Sequence, residues 1–302
     1  MPVFSQARVG EPISHETLTV FPLFTEPDSR VQYLLADEAL GSGGVKVEEV
    51  GEAGSVPNLL VDNQAETLVL FLEGEELKGA KQNRVLNTSV LAPAKSRTTI
   101  PASCVEAGRW RYMSRHFGSS GHHSSRRLRH VLRKAVTQST IEHDSYHSDQ
   151  GAVWAEVDRH MDSLGTDSGT RAMSDSYEAC QMRVVEYQNE IQYVEGATGL
   201  AVALGKNVVS VDLFDKPATC QKVWSRLLTG VIMEALEPGR TNEPPTAIDV
   251  EKLLTALQHA PWQQAPAVGT GESLRAALDG DCHATALVLD GTVVHGSILA
   301  PA

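Results

Sequence analysis

The sequence predicts an α+β fold, built on a mixed or antiparallel sheet or a sandwich core, with helices packed from the middle and C-terminal part of the chain. Short apolar runs separated by turn residues crowd the first third of the chain and recur at its C-terminal end. Longer segments with apolar residues at helical spacing lie between them. We therefore expect strands from both ends of the chain to share a sheet.

The first third is predicted to be rich in strands. Pro22 restricts the first apolar run to a sheet edge or to a strand end, because proline has no N–H to donate. Residues 33–40 (YLLADEAL) have helical spacing and meet a glycine-rich stop at 41–44. The predicted strands cover residues 18–23, 45–50, 59–61, 67–72, 85–91, 97–100 and 104–106.

Helices and hairpins are predicted for the rest of the chain. Residues 199–205 and 208–214 form a predicted hairpin across Lys206 and Asn207, and Asp290-Gly291 is a strong turn signal between two further strands. The closing strands cover 273–278, 284–289 and 292–298. The predicted helices cover 124–139, 152–164, 182–192, 218–236 and 248–259, the first of them opening at Arg126 behind a loop over 118–125.

Length and composition predict one domain over residues 1–302, with a β-rich part at 15–110, a basic and His-rich insert at 111–150 and an α/β remainder at 151–302. The balance of 41% hydrophobic and 21% charged residues is typical of a soluble globular protein. A net charge of -12 argues against a wholesale nucleic-acid coat. Four scattered cysteines, no leader pattern and no long apolar run predict a cytoplasmic protein with reduced thiols and no membrane partner.

The first candidate site lies at residues 73–84, directly behind the apolar run at 67–72. Glu75 and Glu76 are candidate acid and base residues. Glu73 and Glu75 share one face if the strand continues, and two such carboxylates with waters would also suit Mg²⁺, although the sequence identifies no cofactor. Groups suited to phosphate and sugar hydroxyls follow at Lys81, Gln82, Asn83 and Arg84. The alternative is an exposed turn with a solvated run of charges, which composition alone favours.

The second candidate site is the segment 104–110 (CVEAGRW). Glu106 supplies a further carboxylate, Arg109 a guanidinium, and Trp110 a ring that can stack on a base or a sugar. Cys104 lacks the loop of a phosphatase-like nucleophile, since only four residues separate it from Arg109. The alternative is a buried tryptophan beside a weak Arg–Glu surface pair.

Residues 109–134 reverse the charge of the chain, with seven arginines, one lysine and no acidic residue. Such a segment favours an anion-facing surface, for a nucleotide or a nucleic acid, while a compensated surface loop is the alternative. Histidines cluster nearby, but their order does not match a zinc motif, so no metal site is predicted.

The residues of both candidate sites resemble a sequence pattern of a known family. The pattern G-E-x-L-x-G, then K-Q-N-R, then I-P-x-x-C-V-E-x-G-R-W resembles the ADP-ribosylglycohydrolase and rhodanese-phosphatase-superfamily-associated protein domain, a prokaryotic family. The similarity extends from about Leu18 to Ile298 and includes Trp154 and His295. It implies a link to NAD-derived metabolism by association alone, and it carries no role onto residues 118–129.

The leading hypothesis is therefore a domain that binds, and hydrolyses or transfers, an ADP-ribose-like or other phosphorylated nucleoside. Arg84 and Arg109 would contact phosphate, Trp110 would stack, and Glu75 or Glu106 would be the acid or base. Gln82 and Asn83 would bind ribose hydroxyls. A second hypothesis is a non-enzymatic scaffold for an ADP-ribose-processing enzyme, with the motif forming internal salt bridges. A third is binding of nucleic-acid ends through residues 109–134.

Overall fold

The computed structural model describes residues 4, 6–26, 29–51, 56–239, 243–266 and 268–301. By its internal contacts the chain divides into two compact units. The first combines Met1–Val31, Gln181–Gln264 and Ser273–Ala302, and the second combines Gln32–Cys180 with Ala265–Glu272. The prediction of one domain over 1–302 does not anticipate this division.

Strands and helices alternate in blocks along the chain, as the class α+β requires, and that class is confirmed. The strands are β1 (Arg8–Val9), β2 (Ile13–His15), β3 (Leu18–Phe24), β4 (Tyr33–Leu35), β5 (Val45–Glu49), β6 (Asn58–Asn63), β7 (Leu68–Phe71), β8 (Glu75–Gly79), β9 (Arg84–Leu86), β10 (Val90–Ala92), β11 (Ser96–Cys104), β12 (Phe117–His123), β13 (Gly199–Leu204), β14 (Asn207–Phe214), β15 (Gln263–Ala265), β16 (Glu272–Leu278), β17 (Cys282–Leu289) and β18 (Thr292–Leu299). The helices are α1 (Ala36–Gly41), α2 (Arg126–His143), α3 (Gln150–Leu164), α4 (Met173–Ala179), α5 (Gln181–Glu190), α6 (Pro217–Ala235) and α7 (Ala247–Gln258). None of these helices is long and apolar enough to cross a membrane.

The first unit contains an antiparallel sheet that is shared by strands from both ends of the chain, as predicted. Its order is β1-β3-β13-β14-β18-β17-β16-β15, and β2 pairs with β3. The hairpins β13–β14 and β17–β18 are both confirmed. At the second turn Asp290 and Gly291 have φ angles of 49° and 77°, the left-handed conformation that a two-residue hairpin turn requires.

The expectation that Pro22 marks a sheet edge is wrong, because β3 has neighbours on both sides. The carbonyl of Pro22 accepts a hydrogen bond from the N–H of Gly10, 2.8 Å away. Since the N and the C=O of one residue lie on the same side of a strand, the missing N–H faces the side of β1. That strand has already ended at Val9, so no ladder bond is lost.

The second unit is built around a closed barrel with the order β11-β6-β5-β12-β8-β9. Alternate residues of its strands form one apolar cluster, which fills a barrel of this size with side chains. Members of that cluster include Val47, Val61, Leu77, Leu86, Ile100 and Phe117. By the period of two in a strand, Glu49, Arg84 and Cys104 lie on the same inward face, at one end of the barrel.

Several predicted elements of this unit are corrected by the pairing partners. The loop expected at 118–125 is strand β12, although the helix behind it does open at Arg126. The single strand expected at 85–91 is two strands, β9 in the barrel and β10 beside β7. Conversely, the runs at 97–100 and 104–106 belong largely to one long strand, β11. The helix expected at 33–40 begins as strand β4 before it becomes α1.

Candidate functional site

One end of the barrel contains a buried ion pair that the sequence did not predict. Arg84, at the start of β9, donates to both carboxylate oxygens of Glu49 at the end of β5, with Nη2 to Oε2 and Oε1 distances of 3.3 and 3.4 Å. Both side chains are buried. Nη1 of Arg84 donates to the side-chain oxygen of Gln82 at 3.2 Å. Arg84 is therefore engaged by protein groups and is not presented to a ligand.

Cys104 lies beside this pair, with its Sγ 2.9 Å from Nη1 of Arg84. Burial raises the pKa of the Cys104 thiol to about 11, although Arg84 acts to lower it. A thiol with that pKa is almost entirely protonated at neutral pH, and only the thiolate is a good nucleophile. The expectation that Cys104 is not a nucleophile therefore has a physical basis in its burial.

Glu106 and Arg109 form the second buried pair. Nε of Arg109 lies 2.8 Å from Oε1 of Glu106, and Nη2 lies 2.6 Å from Oε2, a bidentate geometry. The Thr170 hydroxyl donates to Oε1 at 2.8 Å, and the Asn83 N–H donates to Oε2 at 3.1 Å. Burial by itself raises the pKa of Glu106, but the hydrogen bonds from Arg109 and Thr170 outweigh it and leave the pKa below its ordinary value. Glu106 thus stays ionised with its oxygens occupied, which does not suit a general acid or base.

Gln82 and Asn83 connect the two pairs. The Gln82 side-chain amide donates to the backbone carbonyl of Glu106 at 2.8 Å, and the Asn83 side-chain oxygen accepts from Nη2 of Arg109 at 3.1 Å. We call Glu49, Gln82, Asn83, Arg84, Glu106 and Arg109 the buried network. It brings five of the predicted site residues together, and it uses their polar atoms to hold the barrel end rather than to face solvent.

The two remaining predicted carboxylates are also buried. Glu75 Oε2 accepts from the Leu72 N–H at 3.0 Å and closes the turn at Gly74. Glu76 is 1% exposed, and neither of its oxygens has a hydrogen bond of normal geometry among the described residues. Burial raises the pKa of Glu76 to about 7, and the nearby Ser120 and Lys78 oppose this only in part. A carboxyl group with this pKa exchanges a proton near neutral pH, but the oxygens of Glu76 are not accessible to solvent.

Trp110 differs in exposure from the other predicted residues, and Lys81, which is itself buried, lies beside its ring. Trp110 is 49% exposed, and the neighbouring Tyr112 and Met113 are 52% and 72% exposed. Nζ of Lys81 lies 5.3 Å from the centroid of the Trp110 ring and 5.1 Å from that of Tyr112, which is within the range of a cation–π contact. The ammonium group thus links two aromatic rings that remain open to solvent.

A cleft of about 920 Å³ is lined by Tyr112, the second of these rings. It lies over the outward-facing residues of β5, β6 and β11, and residues 112–115 form another of its walls. Arg97 and Arg115 bring two guanidinium groups to it and Glu48 brings a carboxylate, while the side chain of Glu49, which also lines the cleft, is buried in its pair with Arg84. Arg115 is exposed, and no carboxylate of the described chain forms an ion pair with it. The sequence contained all of these residues, but nothing in it indicated that β5, β11 and this loop meet.

The basic segment at 109–134 is divided between surface and interior. Arg109, Arg126, Arg129 and Arg133 are buried, and Arg111, Arg115 and Lys134 are exposed. Nη2 of Arg133 lies 2.7 Å from Oε1 of Glu73, and both side chains are almost completely buried. Half of the local positive charge therefore stabilises the interior, which the run of charges in the sequence could not show.

The carboxylates considered for Mg²⁺ are engaged by protein donors, as the contacts of Glu73 and Glu75 show. In the first unit, His15, Glu16 and Glu186 lie close enough together to hold an ion. However, Arg183 contacts Glu16 at 2.9 Å and Glu186 at 3.3 Å, so a cation there would have to displace a guanidinium.

Fold and site together define an α+β protein with a closed six-stranded barrel and a charged network at one barrel end. The chain belongs to the ARG and Rhodanese-Phosphatase-superfamily-associated Protein domain family, whose model matches residues 6–299. This match confirms the resemblance carried by the two motifs. The family's name associates it with ADP-ribosylglycohydrolase and rhodanese-phosphatase proteins. No curated protein and no solved structure is significantly similar to the chain.

Proposed function

We propose that the protein binds an ADP-ribose-like or other phosphorylated nucleoside in the cleft beside Trp110 and Tyr112. The observation that carries this proposal is a cleft of about 920 Å³ that is lined by the exposed ring of Tyr112 together with Arg97 and Arg115, with the exposed ring of Trp110 two residues earlier in the same loop. Aromatic rings stack on bases, and guanidinium groups bind phosphate in a bidentate manner. A pocket of this size accommodates a nucleotide-sized ligand.

The roles of the motif residues change in this proposal. Arg84 and Arg109 do not contact the phosphate, because both are buried in ion pairs. They instead fix the loop that carries Trp110: Nη1 of Arg109 donates to the carbonyls of Ala80 and Arg111. Phosphate recognition passes to the guanidinium groups of the cleft, and the buried network positions the stacking residue.

We assign binding rather than turnover to the cleft. Glu106 has a pKa below its ordinary value and accepts hydrogen bonds at both oxygens, and Glu75 closes a backbone turn. Glu76 has the pKa that a general acid or base needs, but its oxygens are inaccessible. Hydrolysis or transfer of a group of the ligand, and location in the cytoplasm, stay predictions from the sequence.

A titration of the full chain with ADP-ribose, followed by calorimetry, tests the proposal. Trp110→Ala should weaken binding by roughly 5- to 100-fold, because base–aromatic stacking contributes about 1–3 kcal/mol. The matched control is Trp154→Ala, which removes a partly exposed tryptophan on α3, a helix that contributes no residue to the cleft, whereas the loop that carries Trp110 contributes residues 112–115. Equal affinity of the Trp110 and Trp154 variants for ADP-ribose would contradict the proposal. So would a wild-type titration that shows no heat of binding.

A second candidate function is that of a non-enzymatic partner of an ADP-ribose-processing enzyme. It is favoured by the buried network, in which the family motif forms internal salt bridges, and by the association in the family's name. Sedimentation of the protein mixed with an ADP-ribosylglycohydrolase from the same organism tests it. A complex that persists in Trp110→Ala would support this function independently of ligand binding.

Binding of nucleic-acid ends through residues 109–134 receives less support. A buried guanidinium that already pairs with a carboxylate, such as Arg109 or Arg133, contributes nothing to a phosphate-binding surface. The affinity for DNA should accordingly show a shallow dependence on salt concentration, since few phosphates are neutralised.

A further inference from the structure

We propose that Glu48 is a built-in competitor of the ligand, with its carboxylate occupying the position beside Arg97 that an anionic group of the ligand takes. The inference rests on the proposed function, because it names the residue that sets the affinity and the charge preference of the same cleft. Its chemical consequence is a selective effect on phosphorylated ligands.

The contacts of Glu48 place its carboxylate between a guanidinium and an imidazole. Oε1 lies 3.3 Å from Nη2 of Arg97, and Oε2 lies 3.9 Å from Nε2 of His116. Glu48 and Arg97 both stand on the outer face of the barrel, where Glu48 pairs with Leu60 of the next strand and Leu60 pairs with Thr99 of β11. The carboxylate of Glu48 and the guanidinium of Arg97 therefore contact each other on the wall of the cleft.

This ion pair is of the kind that a ligand can replace. The Arg97 side chain is 63% exposed and that of Glu48 is 30% exposed, and an ion pair at such exposure contributes only about 0–1 kcal/mol. Bidentate hydrogen bonds between a guanidinium and a phosphate are stronger. A phosphate group entering the cleft can thus displace Glu48 from Arg97 at small cost.

Glu49, the other carboxylate of the cleft, cannot play this part. Its side chain is 2% exposed and its charge is compensated by Arg84 inside the barrel end. The charges that face the cleft are then those of Arg97, Arg115 and Glu48, two positive and one negative. Removal of the Glu48 charge leaves two positive groups, which strengthens the attraction for phosphate.

Calorimetric titration of the full chain with ADP-ribose, inorganic pyrophosphate and adenosine at one ionic strength tests the inference. Glu48→Gln should bind ADP-ribose and pyrophosphate about 3- to 10-fold more tightly than the wild type, since it removes one repulsive charge. Its affinity for adenosine, which has no phosphate, should not change. The control is Glu66→Gln, which removes an exposed carboxylate from a surface pair with Lys95.

A second variant shows whether the effect acts through Arg97. In the background of Arg97→Ala, the gain from Glu48→Gln should disappear. A gain that survives there, or an equal gain in Glu66→Gln, would overturn the competitor role of Glu48. So would an unchanged affinity of Glu48→Gln for ADP-ribose while Trp110→Ala still weakens binding, and that result would leave the proposed function intact. A wild-type protein that binds none of the three probes would overturn both.

Discussion

Two regions of one barrel end contain similar residues in opposite environments. The buried network consists of Arg–Glu pairs that are hydrogen-bonded to protein groups and have almost no exposure. Residues 110–115 are a neighbouring stretch of arginine and aromatic residues, yet most of their side chains lie in solvent beside a cleft. The comparison teaches that a charged motif can stabilise a barrel end from inside, while a less regular loop next to it carries the exposed groups that line the cleft.

The largest expected effect is on the buried side of this comparison. Arg84→Ala should lower the free energy of unfolding by about 3–5 kcal/mol, because it leaves Glu49 as a buried carboxylate without its cation. Chemical denaturation measures the change. The control is Arg97→Ala, which breaks an exposed pair and should cost no more than about 1 kcal/mol. Similar losses in the two variants would remove the distinction between the two regions.

The next effect concerns Glu76, whose pKa of about 7 lies above the value of about 4.3 expected in the unfolded chain. The native state therefore binds an extra proton between these two pH values, and stability falls as the pH rises through that window. Glu76→Gln should abolish this fall and be more stable than the wild type by on the order of 2–4 kcal/mol at pH 8.

Denaturation curves at several pH values check this expectation. The variant Glu66→Gln, which alters an exposed carboxylate, should follow the wild-type dependence. If Glu76→Gln and the wild type lose stability in parallel between pH 4.5 and pH 8, then Glu76 is already ionised in the folded protein and its pKa is not raised.

The smallest expected effect concerns the cation–π contacts that Lys81 makes with the two exposed rings. Lys81→Met should lower stability by about 0.5–1 kcal/mol through loss of the cation–π contacts with Trp110 and Tyr112. It should also alter the fluorescence of Trp110, because a charge beside the indole is removed. Lys95→Met, at an exposed lysine that pairs with Glu66, serves as control. Unaltered fluorescence in Lys81→Met would mean that Lys81 does not contact the ring in solution.

Local patterns predicted the elements that depend on short-range chemistry. The two hairpins, the helix opening at Arg126 and the strand over Val45–Glu49 follow from alternation, turn residues and capping. The strand at Phe117–His123 was missed because serine, glycine and histidine give no apolar alternation. It forms because β8 and β5 offer it ladder partners. The split between β9 and β10 likewise depends on partners from two different sheets.

The sequence by itself determined the α+β class, the family and the polar motif that the family shares. Five of the nine residues that it predicted for a site belong to one hydrogen-bonded network. Only the tertiary structure decided the partners, because Glu49 and Arg84 are 35 residues apart and Glu73 and Arg133 are 60 apart. Periodicity reports which face a side chain takes, whereas burial and charge pairing are set by distant strands that close the barrel. For that reason the motif that predicted a binding site lies buried at the barrel end. The cleft is formed by residues that no local pattern connects.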